Sequence, residues 1–184
     1  MSKDVVDLIM NDHRELEKLF DTLLNEPDKR AALVPVMTTL LTAHSRAEES
    51  EVYPAASEAG GADDVEHSQK EHLEADRLAL ALSETDPSSP DFPTALKKLV
   101  DAVSHHVEEE ETTVLPGMRE HLDEARRAEL GEAFLAAREE HLGEQPADIT
   151  KAELDQQAAN AGISGASSMS KDELQQTLEA EAES

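Results

Sequence analysis

A histidine followed one helical turn later by Glu-Glu occurs twice in this 184-residue chain. The copies are HSRAEESEVYP at residues 44–54 and HVEEEETTVLP at residues 106–116. His44, Glu48, Glu49, Val52 and Pro54 of the first correspond to His106, Glu110, Glu111, Val114 and Pro116 of the second. A lone histidine precedes each copy at nearly the same distance, His13 and then His72. The unit is therefore a duplicated half: a helix with one histidine, then a helix with His-xxx-Glu-Glu.

Apolar periodicity places these residues. Val6, Ile9, His13, Leu16, Phe20 and Leu23 step by three and four, which marks one face of a helix. Ser2 is read as its N-cap, with Asp4 in the first turn. A second helix over residues 28–56 carries Leu33, Met37, Leu40, His44, Glu48 and Ala55, with Pro35 marking a kink or a later start. Residues 58–64, with Gly60-Gly61, read as a loop. A third helix over 63–84 presents Val65, His72, Ala75, Ala79 and Leu82, and a fourth over 94–122 presents Leu96, Leu99, Val103, His106, Glu110 and Val114. A shorter fifth helix spans 124–142. The fold class is all-α, an up-down-up-down four-helix bundle over 1–145 with that fifth helix. Residues 146–184 form a linker and a flexibly joined helix–loop–helix tail, whose two helices open on the capping boxes Thr150…Glu153 and Ser170…Glu173.

In a bundle every stripe faces the core, so His13, His44, Glu48, His72, His106 and Glu110 all point inward. Buried carboxylates without a cation are costly, and these stripes carry no Lys or Arg. Histidine and glutamate at i and i+4 reach one centre. Four imidazoles and two carboxylates without sulfur select iron ahead of manganese or zinc, and the duplication suits two metals. Glu49, Glu111, Asp76 and Tyr53 are further ligand or supporting candidates. Tyr53 stands nine residues after His44, on the far side of an ideal helix. His67 is a lesser choice than His72, His105 reads as exposed, and His121 and His141 sit near helix ends.

The order His13, His44-xxx-Glu48, His72, His106-xxx-Glu110 resembles the hemerythrin-like (HHE cation-binding) domain over residues 1–145. The resemblance implies a non-haem di-iron centre, oxo- or hydroxo-bridged, with bridging glutamates and terminal histidines. It also implies binding of O2, turnover of peroxide or nitric oxide in oxidative and nitrosative stress defence, or sensing of iron or oxygen. Oxygen carriers of that family place two ligating histidines four apart on the third helix. Here Asp76 stands at the second place, which favours redox turnover, with a peroxidase- or catalase-like activity, or labile iron over simple O2 carriage. The tail is similar to the small helix–loop–helix at the N-terminus of transcription terminator Rho and to SAP-like modules. Two lysines against eight acidic residues from Ala147 onward oppose nucleic acid and point to a protein-interaction or solubilising appendage.

Composition narrows the classes further. A net charge of -26 opposes nucleic acid and anionic membranes as partners. With no Cys, thiolate, disulfide and iron–sulfur chemistry are excluded. No stretch reads as a signal peptide or a membrane span, so the expected location is cytoplasmic. Besides the di-iron reading stand an iron or oxygen sensor acting through the tail and a metal-free helical scaffold.

Overall fold

The computed structural model describes residues 4–182, and no strand occurs among them. Helix α1 runs over Val5–Asn25 and buries the expected stripe together with Val5. Its N-cap is Asp4, whose side chain accepts a hydrogen bond from the Val6 amide at 3.0 Å. The expected cap, Ser2, lies outside the described residues. A 3₁₀ turn at Pro27–Lys29 leads into α2, Arg30–Ala47. Pro35 sits inside α2 on its exposed side, where its missing N–H and the freed Ala31 carbonyl face water. The core side of early α2 carries Val34, Met37 and Leu41, while Leu33 and Leu40 are only partly buried.

Both motif copies break their helix at or just after Glu-Glu. In the first, a wide π-type turn over Glu48–Val52 separates α2 from the short α3, Tyr53–Ala56. In the second, α5 (Phe92–Thr112) ends at Thr113, with φ -122° and ψ -74°, before α6 (Val114–His121). The proline ten residues after each histidine supplies the reason. It removes one amide donor and crowds the carbonyl four residues earlier, so a regular helix cannot run through it. The expected loop at residues 58–64 is instead a wide helical turn, Ser57–Gly61, broken at Gly60 with φ +105°. Only glycine adopts that conformation without strain. Helix α4 (Ala62–Ser83) follows it directly.

Helices α1, α2, α4 and α5 each pack on the next, and α5 returns to α1, closing an up-down-up-down bundle. The core has two apolar clusters. One contains Leu16, Phe20, Met37, Leu41, Leu78, Leu82, Leu99 and Val103. The other contains Val6, Ile9, Val52, Tyr53, Val65, Val114, Met118 and Phe134. Burying such side chains contributes about 1.5–3 kcal/mol each. Along each stripe the inward histidines and glutamates fall between the clusters, as a polar layer with apolar packing above and below.

Helix α7, Glu124–His141, lies along α1 and α2. The tail helices α8 (Lys151–Asn160) and α9 (Lys171–Ala182) start on the two expected capping boxes. They are not loosely tethered. Leu154, Ala158, Leu174 and Leu178 form a third apolar cluster with Leu73 of α4. This docking, with α7, encloses the second half of α2, where every residue from Leu41 to Ala47 is buried. No helix among the described residues is long and apolar enough to cross a membrane.

Candidate metal centre

The bundle brings His13, His44, Glu48, His72, His106 and Glu110 into one layer, none more than 5% exposed. The rings form two pairs, His13 with His44 at 5.1 Å between centroids and His72 with His106 at 4.5 Å. Each pair therefore comes from one half of the duplication. Glu48 spans them, with Oε2 3.2 Å from His44 Nε2 and 3.3 Å from His72 Nε2. Glu110 spans them from the other side, with Oε2 3.3 Å from His13 Nε2 and 4.0 Å from His106 Nε2. Two sets of donor atoms result, His13/His44/Glu48 and Glu48/His72/His106, each within 4.8 Å.

Every ring has a carboxylate at its other nitrogen. His13 Nδ1 donates to Glu111 at 2.9 Å and His106 Nδ1 to Glu71 at 2.9 Å. His72 Nδ1 donates to Glu49 at 3.2 Å and His44 Nδ1 to Asp12 at 3.4 Å. An ionised carboxylate only accepts, so each Nδ1 carries a hydrogen and Nε2 is the nitrogen turned to the layer. The second glutamate of each motif thus orients the lone histidine of the opposite half. The acidic residue before each lone histidine, Asp12 or Glu71, orients the motif histidine of its own half. The sequence reading missed Asp12 and Glu71. The repeated acid–His pairs, Asp12-His13 and Glu71-His72, were the available signal.

Charges further out hold these carboxylates. Arg138 of α7 donates to Asp12 at 2.6 Å, and Phe134 stands edge-on to the His44 ring. Arg14 pairs with Glu111. Arg46, 2% exposed, binds Glu49 at 2.9 Å and Asp76 at 2.8 Å. It projects from the outer face of α2, so the stripe gave no sign of it. From α8, Gln157 donates to Glu49 at 3.1 Å and to Asp76 at 3.2 Å, and Asn160 donates to the Glu49 carbonyl at 3.0 Å. Asp76 is thereby tied to Arg46 and the tail, away from the gathered donors. Tyr53 does reach them: its hydroxyl lies 2.9 Å from His72 Nε2. The extra residue of the π-type turn takes back about 100° of rotation and brings Tyr53 round to the core.

Without metal, protons balance the layer. Burial disfavours charge on His13 and His72, but Glu110, Glu48 and Glu111 lift His13 to about 9, and Glu48 and Glu49 lift His72 to about 10. Burial would raise Glu110, yet His13, His106 and His44 hold it near 2. The hydrogen bonding is nevertheless incomplete. His13 Nε2 and both oxygens of Glu48 and of Glu110 are buried without a hydrogen-bond partner. Unpaired nitrogen and carboxylate donors converging from two sides fit cations rather than an internal hydrogen-bond network.

The family model for the hemerythrin HHE cation binding domain matches residues 4–118. A protein of Nostoc sp. named as a DNA nickase is 31% identical over 147 residues, covering 77% of this chain and 42% of that relative. The chain thus spans less than half the length of the relative it matches. No solved structure matches the chain. The family pattern runs through all four bundle helices and contains every histidine of the buried layer, and this chain belongs to the hemerythrin HHE cation-binding family.

Proposed function

We propose that the buried layer holds two iron ions and that the loaded protein binds O2 or turns over a small oxidant, peroxide or nitric oxide, as a stress-defence protein. The observation that carries this reading is the pair of donor sets sharing Glu48, each with two histidines of one half. His13 and His44 would hold one ion, His72 and His106 the other, with Glu48 and Glu110 between them. Bound iron supplies one-electron redox chemistry and Lewis acidity.

The chain's own residues do the rest. Asp12, Glu49, Glu71 and Glu111 fix the four rings and raise their basicity. The two apolar clusters keep bulk water from the layer. Tyr53 can donate its O–H to a small molecule held beside His72. With Asp76 engaged by Arg46, the third helix would offer a metal one imidazole, and this smaller ligand set favours turnover over simple O2 carriage.

The test is an absorption spectrum of iron-loaded protein before and after O2, peroxide or nitric oxide. The reading expects a near-ultraviolet charge-transfer band that changes with oxidant, lost in Glu48→Gln and Glu110→Gln. An iron-loaded protein with no such band, or one inert to all three oxidants, overturns it.

A sensor role has one observation in its favour, the bonds from Gln157 and Asn160 of the tail to Glu49, which orients His72. That role expects iron to protect the tail from proteolysis with negligible turnover. Nicking of DNA, the activity in the relative's name, fits this chain less well, because a net charge of -26 opposes approach to the duplex. Relaxation of supercoiled plasmid by the iron-loaded chain would reverse that preference.

A further inference from the structure

Of the four histidines outside the buried layer, His67 and His105 lie side by side. The side chains of His67 and His105 are 60% and 63% exposed. Each opens its own His-xxx-Glu step, His67–Glu71 on α4 and His105–Glu109 on α5. The steps meet crosswise over the seam between these helices. His67 Nε2 is 2.7 Å from Glu109 Oε2 and 3.6 Å from Glu71 Oε1. His105 Nε2 is 3.3 Å from Glu109 Oε1 and 3.5 Å from Glu71 Oε1.

Exposed His–Glu pairs are usually weak surface ion pairs. Two observations set this quartet apart. Glu71 Oε1 is buried without a hydrogen-bond partner and lies between the two rings. Among the described residues, neither Glu71 nor Glu109 has a Lys or Arg within ion-pair distance. The comparable trio His141, Glu144 and Glu153 differs on this point, since Arg46 stands 3.8 Å from Glu153.

We propose that His67, Glu71, His105 and Glu109 form a surface site for a divalent transition-metal ion. Two imidazole nitrogens and two carboxylates from facing helices are a donor set for Fe2+, Zn2+ or Mn2+. Glu71 joins this site to the buried layer, because its other oxygen accepts from His106 Nδ1 at 2.9 Å. A cation on Oε1 draws charge from that carboxylate and loosens its hold on the His106 ring. None of the six inward residues of the buried layer is a ligand of the surface site, so its donor set is complete whether or not that layer carries metal.

Cobalt(II) is the probe, titrated into the iron-reconstituted 184-residue wild-type chain and His67→Ala, with Glu109→Gln as a second variant. Helicity is checked by circular dichroism, and iron is counted in each protein. The site predicts one cobalt fewer per chain in both variants, equal iron, and paramagnetic shifts of the His67 and His105 ring protons in wild type. Equal cobalt in all three proteins, or a cobalt deficit matched by loss of iron, overturns it. If no protein takes up iron, the di-iron reading fails, while the cobalt difference and ring shifts still decide the surface site.

Discussion

Arg46 is the buried cation on which one side of the layer leans, and Arg46→Met tests that directly. Methionine keeps the length and apolar stem but leaves Glu49 and Asp76 without a guanidinium. Removing one partner of a buried ion pair costs about 3–5 kcal/mol, because a charge is stranded. Arg46 and Glu49 are 2% and 3% exposed, which places the pair in that regime, whereas Asp76 is 20% exposed. Glu49 also keeps Gln69 at 2.9 Å, Gln157 at 3.1 Å and His72 at 3.2 Å. The lower end, about 3 kcal/mol at neutral pH, is therefore expected, a fall of about 1.5 M in the urea midpoint.

The sign with pH follows from Glu49. Burial pushes its carboxyl up, but Arg46, His72 and Gln69 outweigh this and hold it near 2, against an ordinary 4.5. A depressed carboxylate stabilises the fold above its unfolded pKa and loses that contribution as pH falls through the folded one. The Arg46→Met deficit should then be largest at neutral pH and shrink below pH 4.5. Adding Glu49→Gln and Asp76→Asn should recover part of it. A loss under about 1 kcal/mol, or one unchanged down to about pH 3, would refute the reasoning.

Three further outcomes are expected. Gln157→Ala removes the α8 amide from Glu49 and Asp76, lowering stability by about 1–3 kcal/mol in urea titrations and weakening iron retention about tenfold against a chelator. Tyr53→Phe should keep full iron loading and near-wild-type melting while slowing the peroxide reaction about 100-fold in stopped-flow absorbance. In metal-free protein, the raised His13 and His72 contribute stability that is complete below pH 6.5 and lost as pH climbs through about 9 and 10, so melting temperature should drop over that range. A flat melting profile there would contradict the assigned proton balance.

Much of the centre was legible because helix periodicity is a local property. His13, His44, Glu48, His72, His106 and Glu110 sit where apolar residues belong, so the stripes alone aimed them inward. The tail capping boxes were legible for the same reason. What escaped the stripes depends on contacts between distant segments. Arg46 lies off the apolar stripe of α2 and is buried against Glu49, Asp76 of α4 and Glu153 of α8, contacts that no sequence period shows. The expectation of a loose tail failed because Leu154 and Leu174 find Leu73 of α4, a pairing with no sequence period. Tyr53 depends on a turn of non-standard width, which Pro54 hints at but does not specify. Asp12 and Glu71 were readable in principle, since each copy repeats an acid just before its lone histidine.

The central claim is that the two halves each supply a histidine pair for one metal, with Glu48 and Glu110 shared between them. Iron stoichiometry of the reconstituted 184-residue chain, measured by mass spectrometry alongside X-ray absorption at the iron edge, tests it most directly. The account predicts two irons per chain, each with nitrogen ligands and an iron–iron scattering path, falling together in Glu48→Gln. A single iron per chain, or two irons that Glu48→Gln leaves in place, would contradict it.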